Sequence, residues 1–200
     1  MENKTDNACK TGLKKRFMKN AFCLPKGIAG RFGGQLMAID RVLPAWILGL
    51  LEIKSSDAIL EIGCGPGVGV ELAAAIVEKR IVGVDPSETM LGMARKRNRK
   101  AIEAGKVEFL KGTANHLPFN SASFDAAFTI NSLHLWSNPV RGLREVKRTL
   151  RKGGRIAIGI SRFSHASPDK FGDYLIEAGF GDIHAHTHER GTCVAGKSLE

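Results

Sequence analysis

Residues 58–69 read AILEIGCGPGVG, and this stretch decides the fold. Ala58 to Ile62 is a short apolar run bounded by turn residues, the pattern of a buried strand. Gly63, Gly65, Gly67 and Gly69 then alternate with Cys64, Pro66 and Val68, so the backbone can turn sharply and approach a ligand without a Cβ in the way. Residues 69–79 (GVELAAAIVEK) continue as a helix. A strand that enters a glycine-rich turn and leaves it as a helix is the opening unit of an α/β sheet.

The alternation repeats outward from there. IVGVD (81–85) is a second strand, and Ser87 caps a helix predicted to about Ala104, with Glu88 in its first turn. VEFLKG (107–112), FDAAFTI (124–130) and RIAIGI (155–160) are further strands. Asn138-Pro139 opens a helix to about Arg151, which Gly153-Gly154 ends, and Ser167-Pro168 opens a last one to about Ala178. Runs at 182–188 and 190–196 are joined too tightly for a crossover, so they are expected as an antiparallel hairpin. The expected fold is a doubly wound, mostly parallel, seven-stranded Rossmann-like α/β sheet with an antiparallel C-terminal hairpin. Residues 1–34 read as a basic arm and glycine-rich lead-in, and 35–55 as an N-terminal helical cap with Pro44 marking a break or a new first turn. Residues 56–198 form the main domain.

In such a sheet, ligands sit outside the carboxyl ends of the strands. The dinucleotide fingerprint GxGxxG is not satisfied, because Val68, Val70 and Leu72 stand where its third glycine would fall. Glu61, just before the loop, suits a cationic amino group better than a phosphate. Asp85 closes the second strand, where a carboxylate can accept hydrogen bonds from both ribose hydroxyls. A nucleoside carrying an amino group is the ligand this pattern favours.

Taken in order, ILEIGCGPG, GVDPSETML, VEFLKGTANHLPF, SFDAAFTINSLHLW and REVKRTLRKGGRIAI resemble the class I S-adenosylmethionine-dependent methyltransferases. The resemblance covers about residues 56–160 and points to the small-molecule branch that includes ubiquinone and menaquinone methyltransferases. It implies S-adenosyl-L-methionine as cofactor. Glu61, Gly63 and Gly65 would hold its methionine end, with Cys64 and Gly67 completing the loop. Asp85, followed by Pro86, would bind the ribose, and Met90 would pack near the adenine. Thr113 and Ala114 would face the adenine edge, and Asn131 would lie beside the sulfonium. The family usually has Asp where this chain has Thr113, so weaker adenine recognition is expected. His134 is the candidate general base where the acceptor must lose a proton, with a packing role as the alternative. Trp136 either walls the acceptor pocket or packs.

The acceptor expected from this branch is a small molecule or lipid-like compound. The rival readings are an RNA or protein methyltransferase using the basic surface, a non-catalytic cofactor-binding module, and a dehydrogenase. The chain has 200 residues, enough for one domain with a substantial core, and a formal charge of +10. The basic residues Arg95, Lys96, Arg97, Arg99 and Lys100 fall on one helix and Arg141, Arg144, Lys147 and Arg148 on another. Those helices are expected on opposite faces of the sheet, which argues against nucleic acid as partner. The longest apolar run, Val42 to Leu51, is half of the roughly 20 residues a membrane span needs, leaving at most weak contact with a membrane surface. The N-terminus lacks a secretory signal's apolar stretch, and the four cysteines form no CxxC pair, so a reduced, cytoplasmic protein is expected. GTCVAGKS (191–198) matches the phosphate-loop pattern, but lacks the helix that motif requires. His184, His186 and His188 alternate on one strand face, an edge-strand pattern; no metal site is assigned.

Overall fold

The computed structural model describes residues 40–164 and 167–199, together with Gly27, Gly33 and Gln35. The expected basic arm, and residues 36–39 of the expected cap, lie outside the described residues. Seven strands form one sheet: β1 Ile59–Ile62, β2 Ile81–Asp85, β3 Val107–Lys111, β4 Phe124–Ile130, β5 Leu150–Ser161, β6 Gly181–His188 and β7 Gly191–Lys197. Their order is β3-β2-β1-β4-β5-β7-β6. The first five strands pair in parallel, whereas β7 runs antiparallel to both β5 and β6. This is the expected doubly wound sheet with an antiparallel C-terminal hairpin.

Alternate residues of each strand feed two apolar clusters, one on each sheet face. Leu60, Ile62, Val82, Val84 and Ile158 pack beneath α5 (Pro139–Thr149) and α6 (Phe171–Glu177). Ile59, Ile81, Phe128 and Ala157 pack beneath α1 (Val42–Leu50), α2 (Val68–Ala74) and α3 (Glu88–Arg97). β1 and β2 are buried throughout because both faces are covered. The basic helices α3 and α5 therefore lie on opposite faces, as expected.

Several boundaries differ from the sequence reading. The helix expected to run to about Ala104 breaks at Asn98, and Arg99–Glu103 forms a separate turn of helix, α4. The Asn98 amide donates to the carbonyls of Gly67 and Ala94, so this side chain ties the glycine loop to the end of α3. α2 is shorter than expected and ends at Ala74. β5 begins at Leu150, earlier than expected, because Leu150 pairs with Phe124 across a register shift. The residues of the expected cap that are described, α1, lie against the sheet: Leu43, Ile47 and Leu48 are buried in the α2–α3 cluster. Pro44 is buried within the first turn of α1, where its missing N–H costs no helical hydrogen bond.

A buried ion pair ties the amino ends of β1 and β5 together. Arg155 forms an ion pair with Asp57, which is 9% exposed, and also donates to the Glu52 carbonyl at 3.0 Å. GTCVAGKS is strand β7 with the short tail after it, so it makes no phosphate loop. On β6 the His184 and His186 rings are 6.5 Å apart, while His188 stacks on Trp46 of α1 at 5.0 Å. No group of three ligating side chains is close enough to hold a metal ion among the described residues. Among them, too, no helix is long and apolar enough to cross a membrane.

Candidate cofactor and methyl-transfer site

The glycine loop lies at the carboxyl end of β1, beside the carboxyl ends of β2 and β4. Its amides are turned inward. Gly63 and Cys64 both donate to the Val84 carbonyl, at 2.7 and 3.1 Å, and Gly67 donates to the Cys64 carbonyl at 2.9 Å. The Gly65 amide donates to Asp85 Oδ2 at 2.9 Å. A phosphate would need those N–H groups; with them engaged, the loop suits a ligand that carries its own donors. The dinucleotide reading therefore loses its physical basis as well as its third glycine.

Gly63 is held at φ 69°, and a Cβ on it would run into the Ser132 hydroxyl. The start of the segment after β4 is thus seated directly on the first loop glycine. Gly69 has a different reason: a Cβ there would lie 2.5 Å from Glu61 Oε1 and 2.7 Å from the Phe128 ring. That close approach brings the start of α2 down onto Glu61.

Glu61 is 3% exposed. It accepts a hydrogen bond from the Val70 amide, yet its Oε2 has no partner. Burial pushes its carboxyl well above the usual carboxylate range, and the nearby Asp85 charge adds to the effect. A buried carboxylate oxygen without a partner is costly unless a ligand satisfies it. A ligand N–H directed at Oε2 would satisfy it. Asp85 is 7% exposed, with its carboxyl also raised by burial. It accepts from the Ser87 and Gly65 amides, which orient it at the end of β2. Ser87 Oγ caps α3 through the Met90 amide, as expected.

The remaining expected residues are distributed as follows. Met90 is fully buried, Pro86 is exposed after Asp85, Ala114 is buried and Thr113 is exposed. Cys64 sends its thiol into the α1–α3 cluster under Gly83, and burial raises its pKa, so the side chain faces away from the ligand. Asn131 sits at φ 53°, a left-handed conformation that asparagine tolerates better than most residues. Its Oδ1 accepts from the Ser161 amide at 2.7 Å and its N–H donates to the Gly159 carbonyl, joining the ends of β4 and β5.

His134 lies on the 3₁₀ turn Leu133–Leu135 and is exposed, although its ring has lost enough solvent to hold its pKa below the usual histidine range. Trp136 packs on Gly142 of α5, and its indole N–H donates to Ser132 Oγ at 2.8 Å. Of the two roles considered for Trp136, the observed contacts are packing ones. Ser132 and Asn98 are the contributors missed in sequence. The signal for Ser132 was its place two residues after β4, opposite the loop; no sequence signal marks Asn98. Two surface grooves of about 410 and 480 Å³ lie elsewhere, beside Arg80 and Phe119 and beside Arg144 and Lys152.

A mostly parallel sheet whose first strand runs into a glycine loop, with a buried carboxylate before that loop and an aspartate at the end of the next strand, is the arrangement of the class I methyltransferase fold. Comparisons with known proteins agree. The family described as Methyltransferase domain matches residues 60–158. The chain is 31% identical over 160 residues to the uncharacterized methyltransferase YdaC of Bacillus subtilis, covering 75% of this chain and 86% of that protein. It is 34% identical over 113 residues to the 27-O-demethylrifamycin SV methyltransferase of Amycolatopsis mediterranei, covering 56% of this chain and 42% of that enzyme. The crystal structure of a SAM-dependent methyltransferase from Aquifex aeolicus superposes with a TM-score of 0.68 at 22% identity, covering 84% of this chain and 96% of that one. The chain belongs to the S-adenosyl-L-methionine-dependent methyltransferases, and S-adenosyl-L-methionine is its cofactor. It spans most of the Bacillus relative but less than half of the Amycolatopsis enzyme.

Proposed function

We propose that this methyltransferase acts on a small-molecule or lipid-like acceptor. The observation that carries this reading is the exposure of large apolar side chains past the carboxyl ends of β4 and β5. Leu135 follows β4 and is 44% exposed, and Phe163 follows β5 and is 66% exposed. The split of the basic residues of α3 and α5 between opposite sheet faces supports it, because these two helices do not form one cationic track. The Amycolatopsis relative, named for a small-molecule substrate, supports it as well.

Bound here, S-adenosyl-L-methionine supplies a methyl group already activated on a sulfonium. Glu61 would satisfy the ammonium, with the loop at Gly63, Cys64, Gly65 and Gly67 against the methionine end. Asp85 with Pro86 would hold the ribose, and Met90, Thr113 and Ala114 would frame the adenine. Asn131 would stand beside the sulfonium. With leaving-group activation supplied, the protein's task is to align the acceptor lone pair with the methyl carbon. His134 is the proposed general base for an acceptor that must lose a proton; its lowered pKa keeps the imidazole neutral and able to accept one near pH 7.

The test is incubation with methyl-labelled cofactor and separated cell fractions. Label is expected in small metabolites or lipids. Label confined to RNA or protein would overturn the acceptor class. Calorimetry should show binding of S-adenosylhomocysteine and none of NAD.

A further inference from the structure

The carboxyl rim of the sheet is acidic on one side and basic on the other. Glu61 and Asp85 belong to β1 and β2. Moving past β4, the strands β5, β7 and β6 meet the rim at Ser161, Gly191 and His188, which are register partners. The residues just beyond them are Arg162 and Arg190, joined by a hydrogen bond of 2.9 Å from the Arg162 amide to the Arg190 carbonyl. Ser161 itself donates to Asn131 at the end of β4. The two arginines are thus continuous with the site and not a remote surface patch.

Their side chains have little else to hold. Arg162 makes no ion pair among the described residues, and its guanidinium carbon lies 4.7 Å from the centre of the exposed Phe163 ring. Among the described residues, the Arg190 guanidinium pairs with the exposed Glu189, at 3.7 Å. Farther along, Trp46 covers His188. A planar guanidinium beside an exposed ring presents two recognition elements together: a fork of N–H donors for an oxyanion and an aromatic face for a ring.

We propose that the acceptor is an anionic, ring-bearing small molecule whose oxyanion is held by Arg162 and Arg190 while its ring lies against Phe163. This rests on the small-molecule reading above. The two arginines flank the ends of β5 and β7, whereas Asn131 follows β4, so the oxyanion is held apart from the position beside Asn131. The anchored group and the methylated atom are therefore different, and the product keeps its negative charge. In the transfer, an acceptor lone pair forms the new bond to the methyl carbon. The sulfur–methyl bond breaks with its electron pair left on sulfur, and any proton on the acceptor atom passes to His134 or water.

The experiment uses the full chain, methyl-labelled cofactor and a metabolite extract, with products separated by anion exchange at pH 8. Labelled products are expected on the exchanger. R162Q should reduce that label at least tenfold, while its affinity for S-adenosylhomocysteine stays within twofold of wild type. F163A, at a residue that is 66% exposed, should reduce label several-fold. Label in neutral or cationic small molecules, or equal labelling by R162Q and wild type, overturns the inference and leaves the small-molecule reading standing. Loss of S-adenosylhomocysteine affinity in R162Q also overturns it, because the residue would then serve the cofactor. Absence of label from every small-molecule fraction overturns the reading beneath it, and this inference with it.

Discussion

Replacing Glu61 by Gln separates the cofactor role of this carboxylate from its place in the fold. The side chain is buried, holds the Val70 amide and leaves Oε2 without a partner. A hydrogen bond to a charged group contributes about 1.5–3 kcal/mol. At 1.4 kcal/mol per decade, E61Q should weaken S-adenosylhomocysteine binding roughly 10- to 100-fold. Stability should respond differently. The folded protein raises the Glu61 pKa, so it binds this proton more tightly than the unfolded chain does. The penalty therefore grows as pH rises above about 4.3, the unfolded value, toward the raised folded value. Gln removes that penalty but places amide donors where no acceptor stands, at a cost of about 1–3 kcal/mol. These contributions oppose each other, so the apo protein should lose less than the full amide cost and its Tm should fall by less than about 8 °C. Calorimetric titration and thermal melts from pH 5 to 8 would read both quantities, with the pH slope flatter in the variant. An unchanged Kd, or a Tm loss beyond about 8 °C, would refute the reasoning and make Glu61 a structural residue.

Other outcomes follow from contacts elsewhere in the chain. R155M should lower stability by about 2–4 kcal/mol, seen as a lower urea midpoint, because it strands the buried Asp57 carboxylate; an unchanged midpoint would show that water replaces the pair. If His134 is the base, kcat should fall with acidity through a pKa below the usual 6.5, and H134N should remove that limb; near-normal turnover across pH in H134N would remove the role. Cys64 and Cys193 should resist thiol reagents in the native protein, since both are buried and the Cys193 pKa is pushed up to about 12. Peptide mapping after brief labelling checks this, and fast modification of either would contradict the packing.

The strands nearest the site were legible because each is a run whose burial follows from its own composition. IVGVD and FDAAFTI have the bounds read from the sequence, and both contribute to covered sheet faces. Element ends were less legible. The break at Asn98 depends on a carbonyl of the glycine loop, 31 residues earlier, and the early start of β5 depends on Phe124. Such partners meet only after the sheet has formed, so no local pattern announces them.

By itself, the stretch at 58–69 determined a parallel α/β sheet and a nucleoside-type loop, because glycine spacing and a preceding apolar strand are properties of the chain's own covalent geometry. With the downstream motifs it pointed to the cofactor. Only the tertiary structure decided how the loop is packed. Its amides are spent on Val84, Asp85 and Cys64, and Glu61 is left buried with an unpartnered oxygen. The same packing seats Ser132 against Gly63 and brings Arg162 and Arg190 together at the rim. These are contacts between strands distant in sequence, and hydrogen bonding across the sheet is what creates them.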